Sequence, residues 1–180
     1  PRDTMDHDTE AGAQTFGDLV RDYVRHPDDE RLHALRKAVT RSSSFDPDLE
    51  LHSAMAPLLR RGDHVAVVTG ITEQMPGAAL NPSAHRLLSF ALAALGEHAA
   101  SEREARMSRL SVSSVLATGD GSHERPWSVL RVADEYDILR TRKVRIGSQS
   151  TRREEGRVLD RHESPDGQVT WFVLDPAGAR

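Results

Sequence analysis

The stretch LLRRGDHVAVVTGI, residues 58–71, decides the fold, because its pattern returns as LAALGEHAASEREA at residues 92–105. Leu58 is matched by Leu92, Gly62 by Gly96, His64 by His98 and Ala66 by Ala100, and an acid stands between each glycine and histidine. From Gly62 to Gly96 the period is 34 residues. Each copy has a helix before its glycine and another after it. Asp46-Pro47 opens a helix expected to run to Leu58-Leu59, and the Arg61–His64 turn leads into one through Ile71. Asn81-Pro82 opens the next, through Leu87, Leu88, Phe90 and Leu95. Glycine supplies the tight turn, proline suits the first helical position, and small alanines let the paired helices approach closely.

A helix–glycine turn–helix unit at this period resembles the tetratricopeptide-type repeats, although their consensus Trp and Tyr are missing. The resemblance implies stacked hairpins that present a concave groove. Upstream, Phe16, Leu19, Val20, Tyr23 and Val24 fall at helical spacing and stop before His26-Pro27. Asp28-Asp29-Glu30 then begins a helix with acids at its positive end and a stripe of Leu32, Leu35, Ala38 and Val39, broken by Ser42-Ser43-Ser44. Burying a continuous face takes three or more units, so this hairpin is expected to stack as a degenerate first one.

From residue 127 the period changes. Trp127–Val132 suits a strand, Ala133–Leu139 a short helix, and Arg142–Ile146 alternates basic with apolar residues as a half-buried strand does. Arg157–Arg161 continues in extended form, Ser164-Pro165-Asp166-Gly167 is a turn, and Val169–Leu174 closes a hairpin. The expected class is α+β: tetratricopeptide-like helical hairpins followed by a small antiparallel β-sheet. The expected boundaries are an acidic disordered lead-in at 1–14, a helical region at 15–117 and an α+β cap at 118–176.

The composition narrows the function. The 180 residues are 37% apolar but only 4% aromatic, which suits a core of Leu, Val and Ala packed helix on helix. A net charge of −4 argues against nucleic acid as the main partner. The absence of cysteine removes thiol nucleophiles, disulfides and thiolate metal sites. No run approaches the length of apolar chain a membrane span needs, and the start, PRDTMDHDTEAGAQ, has no hydrophobic signal core. A soluble cytoplasmic protein is expected.

Thr118-Gly119-Asp120-Gly121, Glu124, Val129, Glu135-Tyr136, Leu139, Gln149, Asp160 and Trp171-Phe172 with Asp175 resemble the tail of an uncharacterised bacterial domain-of-unknown-function family, over residues 108–175. That resemblance implies a helical front end before the tail and locates a site without naming a reaction. Here the loop carries His123 and Arg125-Pro126-Trp127, where the family tends to have small residues.

The loop ATGDGSHERPW, residues 117–127, lacks the Lys-Ser/Thr of a phosphate cradle and the ligand series of a calcium loop. Its carboxylates, Asp120 and Glu124, are candidates for a general acid–base pair with His123 in support. Equally, the glycines permit a tight corner that Trp127 closes. Tyr136, Gln149, Arg142 and Arg145 are candidate substrate-holding residues, and Arg140 to Arg153 carries six cations and no acid, suited to phosphates or to a solvated strand face. No metal motif stands out, and no cofactor is called for. Two functions remain: an adaptor that holds a protein or peptide in a helical groove, or an enzyme performing elimination, cyclisation or hydrolysis on a small polar substrate.

Overall fold

Thr15 closes the start of the first helix. Its hydroxyl accepts from the Asp18 amide while the Asp18 carboxylate accepts from the Thr15 amide, so two amides without helical partners are satisfied reciprocally. In the computed structural model, which describes residues 14–175, this helix is α1 (Phe16–Arg25). The expected lead-in lies outside the described residues apart from Gln14. Helix α2 (Asp29–Arg41) follows, capped by Asp28, and then come α3 (Leu51–Arg60), α4 (His64–Thr72), α5 (Pro82–Ala94) and α6 (His98–Leu116). The C-terminal part is β1 (Trp127–Val129), α7 (Val132–Thr141), β2 (Ser148–Glu154), β3 (Arg157–Glu163) and β4 (Val169–Leu174). Helices come first and the sheet last, an α+β fold.

The two glycine turns share one geometry. Gly62 and Gly96 take φ of 70° and 81°, in the left-handed region. The amide after each reaches back to the matched leucine carbonyl, Asp63 to Leu58 at 3.0 Å and Glu97 to Leu92 at 2.9 Å. Asp63 and Asn81 cap α4 and α5, each accepting from a backbone amide three residues on. Leu51, Met55, Val67, Ile71, Leu87 and Leu88 fill the space between α3, α4 and α5.

Four local expectations change. Helix α3 starts at Leu51 rather than at Asp46-Pro47, because the Asp46 carboxylate accepts from the Asp48 amide in a turn and its carbonyl is taken by Arg131. The α1–α2 hairpin turns its apolar face to Ala79, Leu80 and Leu130 rather than to α3, so it does not stack as a further unit. Arg142–Ile146 is not a strand. Helix α7 runs to Thr141, Lys143 takes φ of 57°, and the Val144 amide bonds back to the Leu139 carbonyl at 2.9 Å, a helix-ending motif. The sheet is mixed: in the order β1-β4-β3-β2, the last three strands are antiparallel neighbours, but β1 lies parallel to β4 with Trp127 beside Phe172.

Polar side chains join the two parts inside the molecule. Arg131, with no exposed surface, donates to the carbonyls of Asp46 at 2.7 Å and Gly77 at 2.6 Å. Arg36 of α2 donates to the carbonyl and hydroxyl of Ser128. At the start of α5, the cap Asn81 donates to Asp134 at 2.8 Å and the Ser83 hydroxyl to Asp137 at 2.6 Å.

Candidate functional site

The loop at 118–127 is a tight corner. The amides of Asp120 and Gly121 both donate to the Arg125 carbonyl, and a side chain at Gly119 would overlap that same carbonyl. Gly121 takes φ of 79° against the face of Trp127, whose indole nitrogen donates to the Gly119 carbonyl at 3.1 Å. The corner thereby seats Trp127 against Phe172.

The carboxylates of this corner do not converge. Asp120 is exposed and accepts from the Ser122 amide at 3.0 Å, and those bonds to Ser122, with Arg125 nearby at 3.6 Å, hold it below the usual carboxylate range. A carboxylate so held is a good acceptor and a weak base. Glu124 lines a separate surface hollow of about 480 Å³ beside Arg157 and Val158. His123 turns to Glu154 at 2.9 Å and packs edge-on against Trp171.

A second cluster gathers where α7 meets the sheet. The helix turns Asp134, Glu135, Asp137, Ile138 and Leu139 inward. Glu135, without exposed surface, lies 2.6 Å from the Nε2 of buried His162, and buried Asp160 accepts from the Thr151 hydroxyl at 2.5 Å. Tyr136 stands edge-on to His162 and its hydroxyl donates to Gln149 at 2.5 Å. Burial, reinforced by the neighbouring Asp160, pushes Glu135 up to about 10. Burial also pushes the His162 imidazole down. Both shifts favour the uncharged forms, so a neutral Glu135 carboxyl meets a neutral imidazole across this short contact, and its other oxygen has no hydrogen-bond partner in the structure.

Tyr136 and Gln149 are therefore brought together, along with Glu135 and Asp160 of the tail motif. Arg142 and Arg145 are exposed and turn elsewhere, Arg142 to the Trp127 ring at 5.9 Å and Arg145 to Asp166 at 3.7 Å. The sequence reading missed Thr151 and His162. The signal for His162 was its place two residues after Asp160 in a strand, which puts both on one face.

A third feature lies on the helical part. Val65, Phe90 and Leu95 are 62%, 59% and 42% exposed. The ring of His64 meets that of Phe90 edge-on at 5.7 Å, so the start of α4 and the last turns of α5 lie together, at the end that carries the two glycine turns. Among the described residues no group of His, Asp and Glu is arranged to hold a metal, and no helix is long and apolar enough to cross a membrane. No family model matches the chain, and comparison with curated proteins and with solved structures gives no match.

Proposed function

We propose that the chain is an interaction protein that holds a partner protein against the start of α4 and the last turns of α5. The observation that carries this is the exposure of Phe90 beside Val65, with Leu95 at the turn that closes the same end. A large aromatic side chain left in water is the kind of anchor that dominates protein–protein contacts when it enters a partner's pocket. The two glycine turns at this end carry exposed groups of both signs, Arg60, Arg61, Asp63 and Glu97, suited to the polar rim of such a contact. The partner that fits is a protein segment with an apolar side chain. The divergence of Asp120 and Glu124 favours this over acid–base chemistry in the corner loop.

The test pairs Phe90→Asp with Val65→Asp. Proteins retained by the parent chain from the cells that make it are identified, purified and titrated against parent and variant. We expect at least one purified protein to bind the parent and to lose about tenfold or more in affinity, roughly 1.4 kcal/mol, with the variant. The variant itself should stay within about 0.5 kcal/mol of parental stability, since both side chains are exposed. A purified partner that binds both chains equally, or the failure of every purified candidate to bind the parent, overturns the proposal.

A further inference from the structure

The cleft between the helical hairpins and α7 is formed by groups that partner binding at Phe90 does not use. It has two lobes. The larger, about 370 Å³, is walled by His52 of α3, Ser83 and Arg86 of α5, and Asp137 and Arg140 of α7. The smaller, about 200 Å³, shares all of these but Arg86 and extends to Leu49, Glu50 and Tyr136.

The charges of the larger lobe do not balance. Asp137 is buried, and its carboxylate accepts from the Ser83 amide at 3.2 Å, from the Ser83 hydroxyl at 2.6 Å and from Arg140. Its charge is already paired by Arg140. Arg86, by contrast, has no carboxylate among the described residues, and its guanidinium donates instead to Nε2 of His52. A cation bonded to an imidazole holds that ring neutral and places its remaining proton on Nδ1. Burial pushes His52 below its ordinary value, and Arg86 and Arg140 add to this, so both guanidinium groups bear on the same ring. Arg86 and the His52 imidazole thus border, with the Arg140–Asp137 pair, a space that can admit a ligand, and one positive charge is left without a carboxylate.

We propose that the larger lobe binds the phosphate of a small phosphomonoester. Arg86 and Arg140 donate to the phosphate oxygens, His52 supplies a further donor, and the organic part lies in the smaller lobe along Tyr136. Planar guanidinium forks match the paired oxygens of a phosphate, and a dianion supplies the missing negative charge. Arg86 then exchanges the imidazole for a phosphate oxygen. His52, freed of that donor and set beside a dianion, takes up a proton. The other charged or titratable groups around it are Glu50 just before α3, Arg86 on α5, and Tyr136, Asp137 and Arg140 on α7. This inference does not rest on the partner surface at Phe90, which lies one turn further along α5 from Arg86.

The test follows the His52 imidazole signals by NMR while inorganic phosphate, phenyl phosphate or, at matched ionic strength, sodium chloride is added. We expect saturable shifts with both phosphates, tighter binding of phenyl phosphate, and a His52 titration moved to higher pH in the bound form. Arg86→Gln, at an exposed position outside the core, should keep the parental unfolding midpoint and lose about tenfold or more in phosphate affinity. Shifts that chloride reproduces would mean charge screening alone and overturn the site. So would an Arg86→Gln chain that binds phosphate as the parent does. Phenyl phosphate binding no tighter than inorganic phosphate overturns the assignment of the smaller lobe.

Discussion

At the scale of single residues, the chemistry of this chain is most distinctive at Glu135. The unfolded chain releases that proton near the ordinary value of 4.5, whereas the folded chain holds it to about 10. Folding therefore takes up a proton across that whole range, so the contribution of Glu135 to stability is complete below the lower value and is lost as pH rises toward the upper. The slope approaches about 1.4 kcal/mol per pH unit for one proton. Asp134, pushed up to about 7 by burial against the pull of Arg131, adds a slope of the same sign below that value. His162 works the other way: its folded form stays neutral, and its contribution is lost as pH falls below 6.5. Glu135→Gln keeps the shape and a donor for His162 but removes the titration. Urea unfolding at about pH 6 and about pH 9 should show parental stability falling with pH more steeply than that of the variant, leaving the variant the more stable chain at the higher value. Parallel slopes would mean that Glu135 is already ionised in the folded protein.

At the scale of elements, two turns are held in conformations their residues disfavour. Lys143 ends α7 at φ of 57°, and Glu155 with Gly156 makes the two-residue link between β2 and β3 at φ of 50° and 78°. Side chains other than glycine or asparagine are strained there. Lys143→Gly and Glu155→Asn should each raise the unfolding free energy by about 0.5–1 kcal/mol in urea titrations; a loss in either would show that its side chain makes a contact worth more than the strain. The same scale explains what could be read from the sequence. The caps at Asp28, Asp63 and Asn81 and the turns at Gly62 and Gly96 were legible because residues a few positions apart determine them. Strand β2 was not. Its residues SQSTRRE are almost all exposed, carry no apolar alternation, and become a strand by pairing with β3. Arg142–Ile146 misled because its alternation imitates a strand, while the left-handed Lys143 folds Val144 back toward the helix it ends. The Glu135 cluster was visible only as an order of residues. It becomes a place because Gln149 pairs with His162, and Thr151 with Asp160, across β2 and β3.

At the scale of the whole molecule, Arg131 joins the helical part to the sheet alongside the apolar packing of Val115 with Trp127, Val129 and Phe172. Its guanidinium lies over the Phe45 ring at 4.4 Å and satisfies carbonyls in the two segments that precede α3 and α5. Arg131→Met keeps much of the volume but leaves the buried Gly77 carbonyl and the part-buried Asp46 carbonyl without this donor, a loss of about 2 kcal/mol. Hydrogen exchange should quicken around residues 44–48 and 75–80, and the urea midpoint should fall; unchanged exchange and midpoint would place the joint elsewhere. The parallel pairing of β1 with β4 also sets an order on assembly. A growing chain can close the α3–α6 hairpins as soon as they emerge, because their contacts are between neighbours in sequence. The sheet must wait. Strand β1 has no neighbour in it until Val169–Leu174 has been made, and Phe172, which packs on both Trp127 and His162, arrives with that last strand. Until then the inner face of α7 has no wall there, and Glu135 meets water and gives up the proton that the finished protein keeps.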